Sequence, residues 1–567
     1  MDDQELILNA ANDLLNNVPD MWDKGAYCYR FPNQNGFVLF VALGLKMFGA
    51  DNQMVFQYLN IPMLILSSFF LSKTIYLLFN DKKLARYSYI LLLGFFQLNC
   101  YVTFVYGTLY GLAASVAGIF LLIKYFKKRN IVNGLVGISL LSIGYGFKSN
   151  YLIMIVAACL LLLFDAIVKK SLKSVISLVW GIVFYVVVVT SISSTIYHLT
   201  GKKVDEGTPN TAWVAMGLQE SYKAPGWWNG YNAKVFADNE YDIPKTKEAI
   251  SQNISERVGE LKKDKEYTLS FFKKTASQWS EGTFECFYIT NLDRGRLSNP
   301  TWTDSVKNLM VDGHSANRAV TTICNYFIVF LWLGIILFLI FDFRKLDAYK
   351  LIFAITFIGG FLFHLVWEAK GQYTIIYAYL MIPYMLRGYQ LLLRRVCNIS
   401  LGEKEAKEKR GTIIPVVVIA LVVIVIGISN NKVVNETIKL NGDKERYESY
   451  MSHQVDDLDD GYYTIIPAND SSVTLAGLIG NDKKYSDKFV VDCSLISLCG
   501  KNSNEISEQS LGILEGKIDP GTSVGLSATD RSIFQRWIVK KVKDNTYEIY
   551  DEYNLALTYD KKKKKIA

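Results

Sequence analysis

The feature that most constrains this chain is the length of its apolar runs. Ten stretches of roughly 17 to 25 predominantly apolar residues recur along it, each about long enough to cross a ~30 Å hydrocarbon layer as a helix. They predict spans at about 54–79, 84–106, 108–126, 131–147, 149–168, 172–200, 321–341, 348–366, 373–393 and 412–430. A soluble chain of 567 residues would divide into several domains joined by polar linkers, and it would not repeat this pattern. The expected fold is a polytopic α-helical membrane protein, multi-pass in the cell membrane. A soluble enzyme, a disordered scaffold and a fibre are excluded.

The formal net charge of +8 reports topology rather than a nucleic-acid partner, because the basic residues cluster in short loops between apolar runs. Lys82, Lys83 and Arg86; Lys127, Lys128 and Arg129; Lys169, Lys170 and Lys173; Arg344 and Lys345; and Arg394 and Arg395 all fall on one side of the predicted topology. By the positive-inside rule that side is cytoplasmic. Residues 1–53, the long loop 201–320 and everything after about 431 are then extracytoplasmic. The stretch Asn35–Gly49 is too short to cross comfortably and reads as an interfacial or half-inserted helix. The Lys561–Lys565 run reads as a solvated terminus.

Beyond a polar linker at 431–454, the 455–567 segment changes character. Short β-rich runs (Tyr462–Pro467, Lys488–Val491, Trp537–Val542, Thr546–Tyr550) alternate with Asn, Asp and Gly turns, predicting an extracytoplasmic all-β domain. Gly461-Tyr-Tyr-Thr-Ile and Asn545-Thr-Tyr-Glu-Ile match loosely at a separation that two internal units of about 42 residues would fill. Of the eight Cys, Cys100, Cys159 and Cys324 lie in apolar runs and Cys397 in a charged loop, while Cys493 and Cys499 could pair in an oxidising compartment. No Cys/His spacing suggests a metal site, and the four His are isolated.

Lys148 and Lys370 are the basic residues of the short outward loops, each at the end of an apolar helix. Such a residue either snorkels to the interface or lines a polar cavity. Asn150, Glu368, Gln372 and Tyr373 lie at the same helix ends, and together they would make a hydrogen-bonding pocket suited to a phosphate. His364 and Glu368, four apart in an apparent helix, would share a face, as ligand contacts or as a packing pair. The long loop carries Trp213, Trp227, Trp228, Trp279, Glu281, Glu285 and Trp302. That composition suits a carbohydrate, and it equally suits anchoring at a membrane interface.

Taken together, several segments resemble the polytopic GT-C glycosyltransferases, the superfamily of protein mannosyltransferases and bacterial lipid-linked-sugar transferases. The N-terminal Asp-Gln, Tyr29-Arg-Phe-Pro-Asn-Gln-Asn-Gly36 and Phe104-Val-Tyr-Gly107 are similar to their first outer loop and early helices. Tyr145-Gly-Phe-Lys-Ser-Asn150, Trp213-Val-Ala-Met-Gly217, Pro225-Gly-Trp-Trp-Asn-Gly230 and Trp367-Glu-Ala-Lys-Gly-Gln-Tyr373 resemble firmicute members. The likeness covers residues 1–430. It implies a polyprenyl-phosphate sugar donor, an extracytoplasmic glycan or protein acceptor, and an outer-loop Asp as base, best matched by Asp3 with Asp2 as the close alternative. The donor phosphate would meet Lys148 and Lys370. No cofactor is required, and a divalent metal is compatible with the residues. The family's first transmembrane helix has no counterpart here, which leaves a missing upstream helix as an expectation.

In the tail, Gly521-Thr-Ser-Val-Gly-Leu, Gln535-Arg-Trp537, Tyr547-Glu-Ile and Leu555-Ala-Leu-Thr resemble a ricin-type β-trefoil lectin repeat. The resemblance makes Gln535 and Trp537 packing residues, and the single Gln-x-Trp leaves a degenerate trefoil or another all-β fold. The partners expected are the lipid-linked donor, the acceptor and membrane lipid, with no nucleic acid. A lipid-linked-sugar transporter or flippase, and a truncated inactive glycan-binding fragment, are the competing functional readings.

Overall fold

In the computed structural model, the longest apolar runs become uninterrupted helices. The residues described are 3–49, 52–221, 224–290, 309, 315–342, 347–395, 414–437, 461–479, 485–492, 495–500, 506–514, 522–528, 535, 537–543, 546–551, 555–562 and 565–566. Asp2, Trp302, Arg344, Lys345 and Cys397, Cys493 and most of the 431–454 linker lie outside them. Two compact units result, one of residues 6–289 with 321–438 and one of 1–5 with 290–320 and 439–567.

The first elements are α1 (Asp3–Asn16), the single turn α2 (Tyr27–Arg30) and α3 (Asn35–Phe48). Then come α4 (Met54–Phe79), α5 (Lys82–Leu93), the short α6 (Phe96–Cys100), α7 (Thr108–Lys128), α8 (Ile131–Phe147), α9 (Leu152–Val168) and α10 (Leu172–Thr200). The loop that follows holds α11 (Thr211–Gly217), α12 (Tyr231–Asp238), α13 (Ile243–Lys263), α14 (Lys265–Thr275) and α15 (Cys286–Thr290). Four more described helices follow: α16 (Ser315–Phe341), α17 (Ile352–Phe363), α18 (Gly371–Arg395) and α19 (Ile414–Thr437).

Among the described residues, six helices are long and apolar enough to cross a membrane: Met54–Phe79, Thr108–Lys128, Ser149–Val168, Leu172–Thr200, Ser315–Phe341 and Val417–Glu436. Ile131–Phe147 and Ala348–Phe363 are apolar but shorter. This is a helical membrane protein, and six of the ten expected spans appear among the described residues as helices of that length. The run 84–106 is the clearest departure. It breaks after Leu93 because Gly94 closes α5, Asn99 donates to Leu93 O (3.0 Å) and Gln97 donates to Gly282 O (2.8 Å). Polar side chains bonded to backbone compete with helix continuation.

The bundle is built on a glycine seam. Helices α7 and α8 pack antiparallel so closely that a Cβ on Gly118 would lie 2.6 Å from Gly137 O, and one on Gly137 2.9 Å from Gly118 O. Gly107 and Gly111 meet Phe147 O and Gly144 O further along the seam. Small residues at a helix crossing let backbones approach and gain dispersion contact, which matters where lipid removes the hydrophobic drive. Gly36 meets Gly146 O in the same way, seating the start of α3 on the end of α8.

At the opposite end of the bundle the basic loops are tied together. Arg129 forks onto Asp165 (2.5 and 2.8 Å), Ser174 donates to the same carboxylate (2.5 Å) and Lys173 donates to Arg129 O (3.1 Å). Asp81, between α4 and α5, accepts from Leu84 N (2.9 Å), Gln390 (2.6 Å) and Arg394 (3.2 Å). Burial pushes the Asp81 carboxyl up, but these hydrogen bonds and the Arg394 charge outweigh it and hold the group below the usual carboxylate range.

Among its described residues, the C-terminal region is β apart from the helical turn Leu475–Leu478. Strands β1 (Gly461–Tyr463), β2 (Tyr485–Asp492), β3 (Leu495–Gly500), β4 (Ile506–Ile513) and β5 (Val524–Ala528) form an antiparallel meander in chain order. Strands β6 (Trp537–Lys543) and β7 (Thr546–Asp551) form a hairpin, and β8 (Tyr559–Asp560) pairs with β9 (Lys565–Ile566). Phe489, Leu498, Leu511 and Trp537 anchor its core. Trp537 Nε1 donates to Leu511 O (2.8 Å) and Gln535 to Ser527 Oγ (2.7 Å), so both side chains belong to the packing. Among the described residues the pairing is a meander plus hairpins, and it does not display the threefold hairpin repeat of a trefoil.

Two outcomes test this packing. Gly118→Ala is expected to destabilise the detergent-solubilised protein by about 1–3 kcal/mol through overpacking. Gly259→Ala, in α13 with nothing near its Cβ position, should instead stabilise by about 0.5–1 kcal/mol; thermal melts of both variants check the contrast. For Asp81 the folded value is depressed, so its stabilisation is full above the unfolded value of about 4 and is lost as pH falls through the folded value. The advantage of wild type over Asp81→Asn in melts should therefore shrink below about pH 4.

Candidate functional site

The glycine seam ends where chemistry-bearing side chains begin. Because α7 and α8 run antiparallel in close contact, the first residue of α7, Thr108, lies beside the residue that caps α8, Lys148. Lys148 leaves the helix in an extended conformation and is only 7% exposed. Its Nζ donates to Thr108 Oγ1 (2.8 Å) and lies 4.7 Å from the Tyr106 ring centroid. The Tyr106 hydroxyl accepts from buried Gln34, and its ring stacks on Phe104 at 4.9 Å. A lysine drawn this far in is not snorkelling. The ring face of Tyr106 offers its ammonium a cation–π contact of about 0.5–2 kcal/mol.

The start of α18 supplies the other side. Lys148 Nζ lies 5.9 Å from the Tyr373 ring and Lys370 Nζ 5.8 Å from the same ring. The Tyr373 hydroxyl donates to Glu368 Oε2 (3.2 Å), and Glu368 is buried. Two ammonium groups and one carboxylate thus gather about one tyrosine. His364 stacks on the other part of this cluster, its ring 5.6 Å from that of Tyr373.

Residues 276–290 fix this arrangement from behind. Gln278 is wholly buried, accepts from Lys370 N (3.3 Å), donates to His364 O (3.0 Å), and accepts at its backbone carbonyl from Thr374 (2.9 Å). Glu285 accepts from Gln372 N (3.2 Å) at the first turn of α18, and Glu281 accepts from Thr283 N (3.1 Å) and Glu285 N (3.2 Å). A carboxylate at a helix N-terminus satisfies an orphan N–H and complements the dipole. Phe284 and Glu285 take left-handed backbone conformations (φ 51° and 58°) to make the turn.

Of the residues expected from sequence, Lys148, Glu368, Lys370 and Tyr373 come together. Gln372 is buried and engages through its backbone, and Asn150 lies half-buried on the 3-10 turn Ser149–Tyr151 next to Lys148. Asp3 is the first residue of α1, a regular helix whose Ile7, Ala10 and Ala11 are buried. Asp2 lies outside the described residues.

Two expectations are corrected. His364 and Glu368 do not share a helical face, because α17 ends at Phe363 and Ala369 is drawn into a parallel bridge with Trp227 through Ala369 N to Gly226 O (2.7 Å). Glu281, Glu285, Trp227 and Trp279 do not form an open carbohydrate surface. All four are buried, and Trp279 packs among Phe357, Phe361 and Tyr377. Trp213 keeps partial exposure and stacks on Trp367 at 5.8 Å with planes 4° apart.

Tyr106, Thr108, Gln34 and Gln278 were missed as site residues. Tyr106 and Gln34 had a signal, their places in the Phe104-Val-Tyr-Gly107 and Tyr29-Arg-Phe-Pro-Asn-Gln-Asn-Gly36 segments. Among the described residues no group of three or more His, Cys, Asp or Glu side chains is placed to hold a metal ion. No protein-family model, curated protein or solved structure matches the chain.

A buried lysine that serves a ligand rather than the fold has a distinct signature. Lys148→Met keeps the volume and removes the desolvation cost of the charge. Its thermal transition is expected to be no lower than that of wild type. A marked fall would make Lys148 part of the fold.

Proposed function

We propose that this chain is an integral-membrane glycosyltransferase of GT-C type. In this reading it takes a sugar from a polyprenyl-phosphate carrier and places it on an extracytoplasmic hydroxyl of a wall polymer, glycolipid or surface protein. The observation that carries the reading is the pairing of Lys148 and Lys370 about Tyr373, with Glu368 alongside, at helix ends remote from the basic loops. The two ammonium groups would hold the donor phosphate and stabilise it as it leaves with the C–O bonding pair. Asp3, with Asp2 as the close alternative, would take the acceptor proton as the acceptor oxygen attacks the anomeric carbon from the opposite face, inverting it. Glu368 and Tyr373 would accept and donate hydrogen bonds to sugar hydroxyls. No step calls for a metal.

The ten-span topology belongs to the same proposal. The six long helices, the two shorter apolar ones, the broken α5–α6 stretch and α18 would supply it, with the basic loops cytoplasmic. The tail would hold glycan near the site and raise its local concentration, a role that rests on its lectin-like sequence alone.

The test is surface-glycan composition in a deletion strain complemented with wild type, Lys148→Met or Asp3→Asn. One sugar is expected to vanish on deletion, return with wild type, and stay absent with either variant at normal protein levels. An unchanged glycan on deletion, under conditions where the protein is made, overturns the proposal. Restoration by Asp3→Asn alone removes Asp3 as the base and leaves the phosphate site standing.

A further inference from the structure

Two segments that build the lysine cluster also carry a second set of side chains. Residues 30–34 reach the cluster through Gln34, which donates to the Tyr106 hydroxyl, and residues 363–373 reach it through Tyr373. At their other ends both carry aromatic rings that meet at α11. Phe31 lies edge-on to Trp213 at 6.1 Å, Trp213 stacks on Trp367, and Trp367 stacks on Phe363 at 4.7 Å. Gly217, the last residue of α11, seats the stack closely: a Cβ there would lie 2.6 Å from Val366 O and 2.8 Å from Trp367 O. Phe31, Trp213 and Trp367 are half-buried and Phe363 is 39% exposed, so part of this aromatic wall stays accessible.

A cation stands over the wall. The Arg30 guanidinium lies 5.4 Å from the Phe31 ring centroid, and its Nε is buried without a hydrogen-bond partner. The acids of the adjoining turns pair elsewhere: Asp23 with Lys202, Asp205 with Lys203 (3.8 Å) and Glu206 with Lys247 (2.6 Å). Thr208, whose N donates to Arg30 O (2.9 Å), is 3% exposed, and its hydroxyl also lacks a partner. A desolvated N–H without an acceptor is costly, and an anion would supply the acceptor. The planar fork of a guanidinium matches a carboxylate or a phosphate.

We propose that Arg30, Phe31, Trp213 and Trp367 bind an anionic saccharide, one that bears a carboxylate or a phosphate group. The rings present apolar faces to the C–H surface of a sugar, and Arg30 pairs with its anion. Single interfacial aromatics anchor a protein to lipid; here two indoles lie parallel and half-buried beneath an arginine. The site's role rests on the glycosyl-transfer reading: the saccharide is the acceptor, held beside the donor phosphate because residues 30–34 and 363–373 join the wall to the lysine cluster. Binding itself requires no transfer.

The experiment places the full chain, in nanodiscs of zwitterionic lipid, on a printed array of neutral, uronate-bearing and phosphate-bearing oligosaccharides. At least one charged class is expected to bind about tenfold more tightly than neutral oligosaccharides of the same length. Arg30→Met should bring that class down to the neutral level, and Arg30→Lys should restore part of the difference. Trp367→Ala should weaken charged and neutral binding alike; if it fails to fold, the two Arg30 variants decide, each checked by thermal melting. No preference for a charged class overturns the inference, and so does a preference that survives Arg30→Met. Arg30-dependent capture of phosphatidylglycerol vesicles without array binding overturns it in favour of a lipid headgroup. An unchanged surface glycan in the deletion strain removes the acceptor role and leaves the binding site standing, so the two failures are distinguishable.

Discussion

The contact between α7 and α8 sets the terms for the rest of the larger unit. Gly118 and Gly137 leave no room for a side chain between the two backbones, and Gly107 and Gly111 extend the seam toward the end that carries Lys148. Lipid supplies no hydrophobic drive for helices to associate, so close backbone packing has to do it. The seam fixes the two helices in register, and that register places Thr108 under the Lys148 ammonium. Neither Lys148 nor Tyr106 would be held in this way by a looser crossing.

The second half of the site is held by side chains rather than by backbone contact. Gln278 and Glu285 accept from Lys370 N and Gln372 N at the start of α18, where N–H groups would otherwise be orphaned, and Glu281 accepts from Thr283 N and Glu285 N behind them. Because these partners are buried, Tyr373 and Lys370 enter the site from a rigid support. In the proposed reaction, groups preorganised in this way would cost no rearrangement as charge develops on a leaving phosphate.

Much of the helical architecture was legible in the sequence, and the reason is length. An uninterrupted apolar run such as 54–79 or 172–200 has one way to satisfy its backbone in lipid, so its helix bounds follow closely. The break near Gly94 was not legible, because it depends on Gln97 reaching Gly282, a partner 185 residues away. Lys148 and Lys370 stood out as charges at apolar helix ends. Their meeting at Tyr373 was not readable, since it depends on how α8 and α18 pack. The long loop misled for a related reason: Trp and carboxylate side chains suited to sugar are equally suited to a buried brace, and only burial separates the two. In the tail, alternation and turn residues foretold strands, while the meander order lies beyond what local pattern encodes.

The central claim is that Lys148 and Lys370 form the seat of a lipid-linked phosphate. Its most direct test is binding of polyprenyl phosphate to the purified protein in nanodiscs, followed by native mass spectrometry for wild type, Lys148→Met, Lys370→Met and the double variant. The account predicts saturable binding to wild type, at least about tenfold weaker binding for each single variant, the equivalent of losing ~1.4 kcal/mol of charge-assisted contact, and none for the double variant. Equal affinity across the four proteins, each shown to be folded, would contradict it.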